Sequence, residues 1–170
     1  MKLILVNGPS GVGKSTVAER LHKELPLSLR IEIDTWRSFI SGYREHRKES
    51  LDLSTRHALR AIETHLAAGH DVIVDKAILD KDEVIEEMRS LGEKYGAQVH
   101  EIVLIAEKEV VLKRADDRGY RPGGLLTPEK AAERWEWGKR LSERRAVATV
   151  IDTTHLNADE VYERVRAEVL

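Results

Sequence analysis

Cysteine is absent from the 170 residues. Its absence removes disulfides, a thiolate nucleophile and any cysteine zinc site, and it agrees with a cytoplasmic location. An excess of one charge is absent too: 28 Lys and Arg stand against 30 Asp and Glu, for a formal net charge of −2. That balance gives no bulk attraction to long nucleic acid or to a membrane surface. No apolar stretch approaches the ~18 residues of a spanning helix. The N-terminal apolar run ends at Asn7, too short for a signal peptide. Internal repeats, low-complexity tracts and linkers are missing. The seven histidines show no metal-ligand spacing. The length suits a single α/β domain, 1–170, with a core of its own.

Against those absences stands one dense motif. Gly8-Pro9-Ser10-Gly11-Val12-Gly13-Lys14-Ser15 matches G-x-x-x-x-G-K-[ST] in full, and Thr16 follows it. This is the phosphate-binding P-loop. Its glycines let the backbone curl until successive N–H groups point at one anion. Lys14 can reach the β- and γ-phosphates, and the Ser15 hydroxyl can ligate Mg²⁺. The flanks fit. Lys2 to Val6 reads as a buried strand. Ser15 to Leu25 carries Val17, Ala18, Leu21 and Leu25 on one face and reads as a helix whose N-terminus meets the phosphates.

Strand and helix patterns alternate along the rest, which predicts a parallel sheet covered on both faces. Leu29, Ile31 and Ile33 alternate with Arg30 and Glu32, as in a half-exposed edge strand. Val72 to Val74, Val99 to Ala106 and Thr149 to Asp152 read as further strands, and Glu49 to Ala68 as a helix. Asp80 with Glu83, Asn157 with Glu160, and Thr127-Pro128-Glu129 read as helix starts. Gly69 reads as a helix stop. Arg118 to Leu126 holds three glycines and a proline and reads as a mobile loop.

Ligands of open α/β sheets bind beyond the carboxyl ends of the strands. Three acids are expected there: Asp34 closing strand two, Asp75 closing strand three and Asp152 closing the last. Phosphoryl transfer needs one carboxylate for Mg²⁺ or its water and another for the proton of the attacking hydroxyl. Asp75 ends an apolar run in the Walker B manner and takes the metal, leaving Asp34 as the base. Each acid could instead only cap the helix that follows.

Arg114, Arg118 and Arg121 are spaced i, i+4, i+7, and share one face if the helix from Lys108 continues. An arginine closing over a phosphoryl group in flight is worth about 10³ to 10⁵ in rate. A solvated face paired with Asp116 and Asp117 is the plainer alternative. Between residues 35 and 60 lie six basic side chains against three acids. Of these, Arg37 follows Asp34 by one turn and could face the same cleft, a hint of an acceptor with a carboxylate or phosphate. Trp36, Phe39 and Tyr43 are expected to pack rather than stack on a ligand. Trp135 and Trp137, two apart on a helix, should point different ways. His155 could approach the adenine.

Taken in order, the P-loop, Asp34-Thr35-Trp36-Arg37, Val74-Asp75, Arg118-Gly119-Tyr120-Arg121 and Ile151-Asp152-Thr153-Thr154-His155 resemble the small P-loop kinases. These include chloramphenicol phosphotransferase, gluconate kinase and shikimate kinase. The resemblance covers nearly the whole chain. It implies a three-layer P-loop NTPase fold with a five-stranded parallel sheet in order 2-3-1-4-5 and a lid over about 114–127. It implies ATP with Mg²⁺, and transfer of the γ-phosphate to a hydroxyl of a small molecule bound near the helical region 35–70. The family's base falls on Asp34 and its lid arginines on Arg118 and Arg121. The acceptor region here is basic and polar, so the reaction carries over and the substrate does not. A nucleoside, nucleotide or polynucleotide-end acceptor is an alternative, and so is a regulator that binds ATP without turnover. A GTPase-type switch lacks support, because no Asn-Lys-x-Asp occurs.

Overall fold

The structure is a computed structural model that describes residues 1–77, 81–120 and 126–170. The elements follow in the order β1 (Lys2–Asn7), α1 (Lys14–Glu24), β2 (Leu29–Glu32), α2 (Ile33–Ser38), α3 (Arg47–Ala67) and β3 (Val72–Asp75). Then come α4 (Asp82–Lys94), β4 (Gln98–Ile105), α5 (Lys108–Asp117), α6 (Pro128–Arg144), β5 (Thr149–Asp152) and α7 (Ala158–Val169).

The five strands form one sheet in the order β2-β3-β1-β4-β5, every pair parallel. β1 lies in the middle, which is why its sequence is a continuous apolar run: side chains on both faces are covered. Ile4 and Val6 pack with Val17, Ala18 and Leu21 of α1 and with Val161 and Val165 of α7. Leu3 and Leu5 pack on the other side with Ile62 and Leu66 of α3, Ile85 and Met88 of α4, and Leu141 of α6. Two cores on two faces make three layers. Truncating a fully buried member such as Ile62 to alanine costs about 2–5 kcal/mol.

Several helix ends match the sequence pattern. Thr127 Oγ1 accepts from the Lys130 N–H at 3.3 Å, with Pro128 as the first helical residue. Asn157 Oδ1 accepts from the N–H groups of Asp159 and Glu160, and Glu160 Oε2 accepts from the Asn157 N–H at 2.8 Å. Gly69 follows the C-cap Ala68 with a left-handed φ of 83°. The two tryptophans of α6 serve opposite sides, Trp135 one core and Trp137 the other.

Two expected boundaries move. β2 stops at Glu32, the residue paired with Asp75 at the end of β3. Beyond that pair the edge strand has no ladder left, and the chain turns helical at Ile33. Asp34 therefore sits in the first turn of α2 rather than at a strand end. The N-cap of α4 is Lys81, without a side-chain cap, rather than Asp80, which lies outside the described residues. No helix among the described residues is long and apolar enough to cross a membrane.

Candidate active site

Because all strands run the same way, their carboxyl ends gather along one edge of the sheet, and the P-loop leaves from its middle. Gly8 passes so close beneath β4 that a Cβ there would lie 2.2 Å from the Leu104 carbonyl oxygen. Only glycine permits that approach, at a φ of 135°. The loop ends on Gly13, the N-cap of α1, which makes no side-chain cap bond. The first N–H groups of this helix thus meet no capping side chain and are suited to an anion.

Lys14 folds back, its Nζ donating to the Pro9 carbonyl oxygen at 2.7 Å. Burial pushes its pKa down to about 8. The negative charges of Asp75 and Asp34 oppose that shift, while Arg134 and Arg118 add to it. A partly buried cation with two further cations near by suits bound negative charge.

One cleft of about 480 Å³ runs from the phosphate loop to the edge of the sheet. Ser10, Lys14, Ser15 and Asp75 line it together with Glu32, Asp34, Tyr43, Arg44, Lys76, Arg118 and Arg134. Asp75 is buried and lies 3.4 Å from the Arg30 guanidinium. A hydroxyl and a carboxylate on one cleft wall are hard oxygen donors that suit Mg²⁺, which fills its remaining positions with phosphate oxygens and water.

Asp34 projects into the cleft with 55 % of its side chain exposed, and Lys76 Nζ donates to its Oδ1 at 2.5 Å. Burial pushes this carboxyl up. The charge and hydrogen bond of Lys76, with Arg134 and Arg37 behind it, outweigh burial and hold it below the usual carboxylate range.

The expected arginines divide. Arg118 caps the C-terminus of α5 and lines the cleft, its guanidinium without a hydrogen bond or ion pair among the described residues. Arg121, and with it the middle of the expected lid, lies outside the described residues. Arg114 does not follow Arg118 into the cleft. Its guanidinium donates to Thr153 Oγ1, to the Thr153 carbonyl oxygen at 2.9 Å and to the Leu156 carbonyl oxygen. There it lines a second cavity of about 360 Å³ with Gly11, Val12, Gly13, Thr16, Leu156 and Asn157. That cavity adjoins the P-loop and does not include Asp34. His155 is exposed and outside its lining, although its neighbours Leu156 and Asn157 belong to it. Asp152 shapes the adjacent turn, its Oδ1 accepting from the Thr154 N–H and hydroxyl.

Arg37 departs from expectation. It is 7 % exposed and turned toward α3, with Nε donating to Ser50 Oγ at 2.9 Å and Nη2 to the Arg47 carbonyl oxygen at 2.7 Å. Those acceptors occupy the guanidinium, and Arg37 is not among the cleft's lining residues. Arg44 stands at the cleft instead, its Nε donating to the Tyr43 hydroxyl. Tyr43, expected only to pack, lines the cleft as well.

Two more residues are new. Lys76 follows directly on Asp75. Arg134 lies on α6, whose buried face carries Ala131, Gly138 and Leu141. Spacings of three and four put Arg134 in that same stripe, and a charge inside an apolar stripe is the signal that could have singled it out.

Fold and cleft together define a P-loop nucleotide-binding protein with the kinase arrangement of the sheet. The sequence matches the AAA domain family over residues 3–140, and the chain belongs to that family. Among curated proteins no sequence matches it. In solved structures it is similar to a tunicamycin resistance protein from Deinococcus radiodurans, at 22 % identity, 99 % of this chain, 95 % of that one and a TM-score of 0.65. It is similar to a gluconokinase from Sinorhizobium meliloti 1021, at 20 % identity, 98 % of this chain, 90 % of that one and a TM-score of 0.69. A third is the deoxyadenosine kinase from M. mycoides with bound dATP, at 15 % identity, 99 % and 98 % coverage and a TM-score of 0.61.

Proposed function

We propose that the protein is an ATP-dependent phosphotransferase that moves the γ-phosphate to a hydroxyl of a small molecule. The observation that carries this is the shared cleft: Lys14, Ser15 and Asp75 line it together with an exposed carboxylate, Asp34. A protein that only binds ATP has no use for that further carboxylate. The kinases among its fold relatives support the same reading.

In this reading the P-loop N–H groups and Lys14 hold the β- and γ-phosphates. Ser15 and Asp75 would hold Mg²⁺, which when bound neutralises charge on the phosphates. Arg118 and Arg134, and Arg121 from the lid, meet the charge that spreads over the γ-phosphoryl oxygens. Arg114 and Thr16 lie on the base side, with His155 near by. Asp34 orients the acceptor hydroxyl and receives its proton. Residues 35–70 form the acceptor wall, where Arg44 replaces Arg37 as the cation in reach of an anionic acceptor.

A nucleoside acceptor is the second reading. Tyr43 on the cleft wall offers a ring to a base. ADP release from Mg·ATP across sugar acids, nucleosides, aminoglycosides and chloramphenicol tests both. Stimulation by one class, lost in Asp34→Asn with ATP binding retained, is the expected result. Full transfer by Asp34→Asn would remove the base from the scheme.

A further inference from the structure

Phosphate binding, metal binding and proton acceptance leave Lys76 without a task. Lys76 is partly buried where Asp34 is exposed: 13 % of its side chain meets solvent, against 55 % for the acid. Its backbone N–H reaches the Val6 carbonyl oxygen at 3.4 Å, tying it to the end of the central strand. Its main chain is thus held to the sheet, while its partner sits in the first turn of a six-residue helix at the sheet's edge. An exposed aspartate in such a helix has several rotamers open to it. The bond from Nζ to Oδ1 selects one of them. Oδ2 accepts no hydrogen bond among the described residues.

We propose that Lys76 is a positioning residue for the transfer: by holding Oδ1 it turns Oδ2 of Asp34 to the acceptor hydroxyl. The inference rests on the phosphotransferase reading of the same cleft. In the step it serves, the acceptor oxygen forms a bond to the γ-phosphorus. The bond from that phosphorus to the bridging oxygen breaks, its electron pair leaves with ADP, and the hydroxyl proton passes to Oδ2. A carboxyl beside an ammonium is a strong enough acid to release that proton to solvent, which returns the base to its starting form.

Other charges face Asp34 as well. Arg37 comes from its own helix and Arg134 from α6. Glu32, Lys14, Asp75, Arg44 and Arg118 line the same cleft, with the Tyr43 phenol. Lys76 is the one that touches the carboxylate.

The test compares Lys76→Met and Lys76→Arg with the parent. Lys76→Gln serves where the methionine variant does not fold. The first readout needs no acceptor: carboxyl ¹³C resonances of labelled aspartate followed against pH, with Asp34→Asn to assign Asp34. Removal of the ammonium should raise the Asp34 titration by about 1 pH unit or more, and Lys76→Arg should restore most of it. With the acceptor class found above, kcat should fall about tenfold or more in Lys76→Met, with an unchanged KM for ATP and an acid limb moved to higher pH. An unshifted Asp34 in an active kinase overturns the role of Lys76 alone. So does a lower kcat with an unmoved acid limb. A shifted Asp34 in a protein that phosphorylates nothing overturns the phosphotransferase reading, and the task of Lys76 with it.

Discussion

Gly138 of α6 faces Pro9 of the phosphate loop so closely that a Cβ at 138 would lie 2.7 Å from the proline Cδ. Helix and loop are flush at this point, and the contact fixes how near α6 approaches the phosphate loop. Arg134, one turn earlier on the same face, is delivered to the cleft by it. Alanine at 138 improves helix propensity by up to about 1 kcal/mol. The clash runs the other way, and a proline ring in a tight loop cannot rotate aside. Gly138→Ala should therefore destabilise by about 1–3 kcal/mol net, at ~2–4 °C per kcal/mol for a chain of this size. Turnover should fall with it as Arg134 is lifted from the cleft. Thermal melts and steady-state kinetics check both. A melt at or above the parent's would show that α6 can yield.

Local chemistry was legible in the sequence, and long-range chemistry was not. The P-loop, the Thr127-Pro128 start and the Asn157–Glu160 box are complete within a few residues, so they read directly. The strand order came through resemblance rather than periodicity. Arg37 shows the limit. Its spacing from Asp34 was right for a shared face, but Ser50 and the carbonyls of Tyr43 and Arg47, all later in the chain, claim its guanidinium. Lys76 and Arg134 escaped for the same reason. One reaches Asp34 because β2 and β3 end together, the other because Gly138 lets α6 settle on Pro9, and neither fact has a local signature. Asp34 lines the cleft but was placed one element too early, since the strand's end depends on where its neighbour stops.

Nucleotide affinity should depend on pH through Lys14. Its pKa is lowered to about 8 in the free protein, burial being the main cause. Bound polyphosphate places negative charge beside it and raises that value. Binding therefore takes up a proton, and affinity is full below about 8 and lost as pH rises above it. The slope for one group is at most about tenfold per pH unit. The same depression means that protonated Lys14 weakens the empty fold, so the unliganded protein should gain stability from pH 8 upward. Titration calorimetry in buffers of different ionisation enthalpy reads the proton uptake directly. Uptake that persists in Lys14→Met would assign the effect to another group.

Arg118 at the end of α5 and Arg134 on α6 both line the cleft, and neither guanidinium has a hydrogen bond or ion pair among the described residues. Cations left so in a cleft that already holds Lys14 repel one another, and both contribute to the depressed pKa of that lysine. Bound negative charge relieves the repulsion, most of all when the γ-phosphoryl group spreads charge over its equatorial oxygens. Each arginine should accordingly matter more to turnover than to binding. Arg118→Ala and Arg134→Ala should each lower kcat by about 10² to 10³, while the Kd for ATP changes far less. If both act on one transition state, the double variant should lose less than the product of the single losses. Kinetics with the acceptor class found by ADP release, beside direct ATP binding, separates the two quantities. A loss of ATP affinity as large as the loss of kcat would make these side chains ground-state phosphate holders. Strict multiplicativity would mean that they act independently of each other.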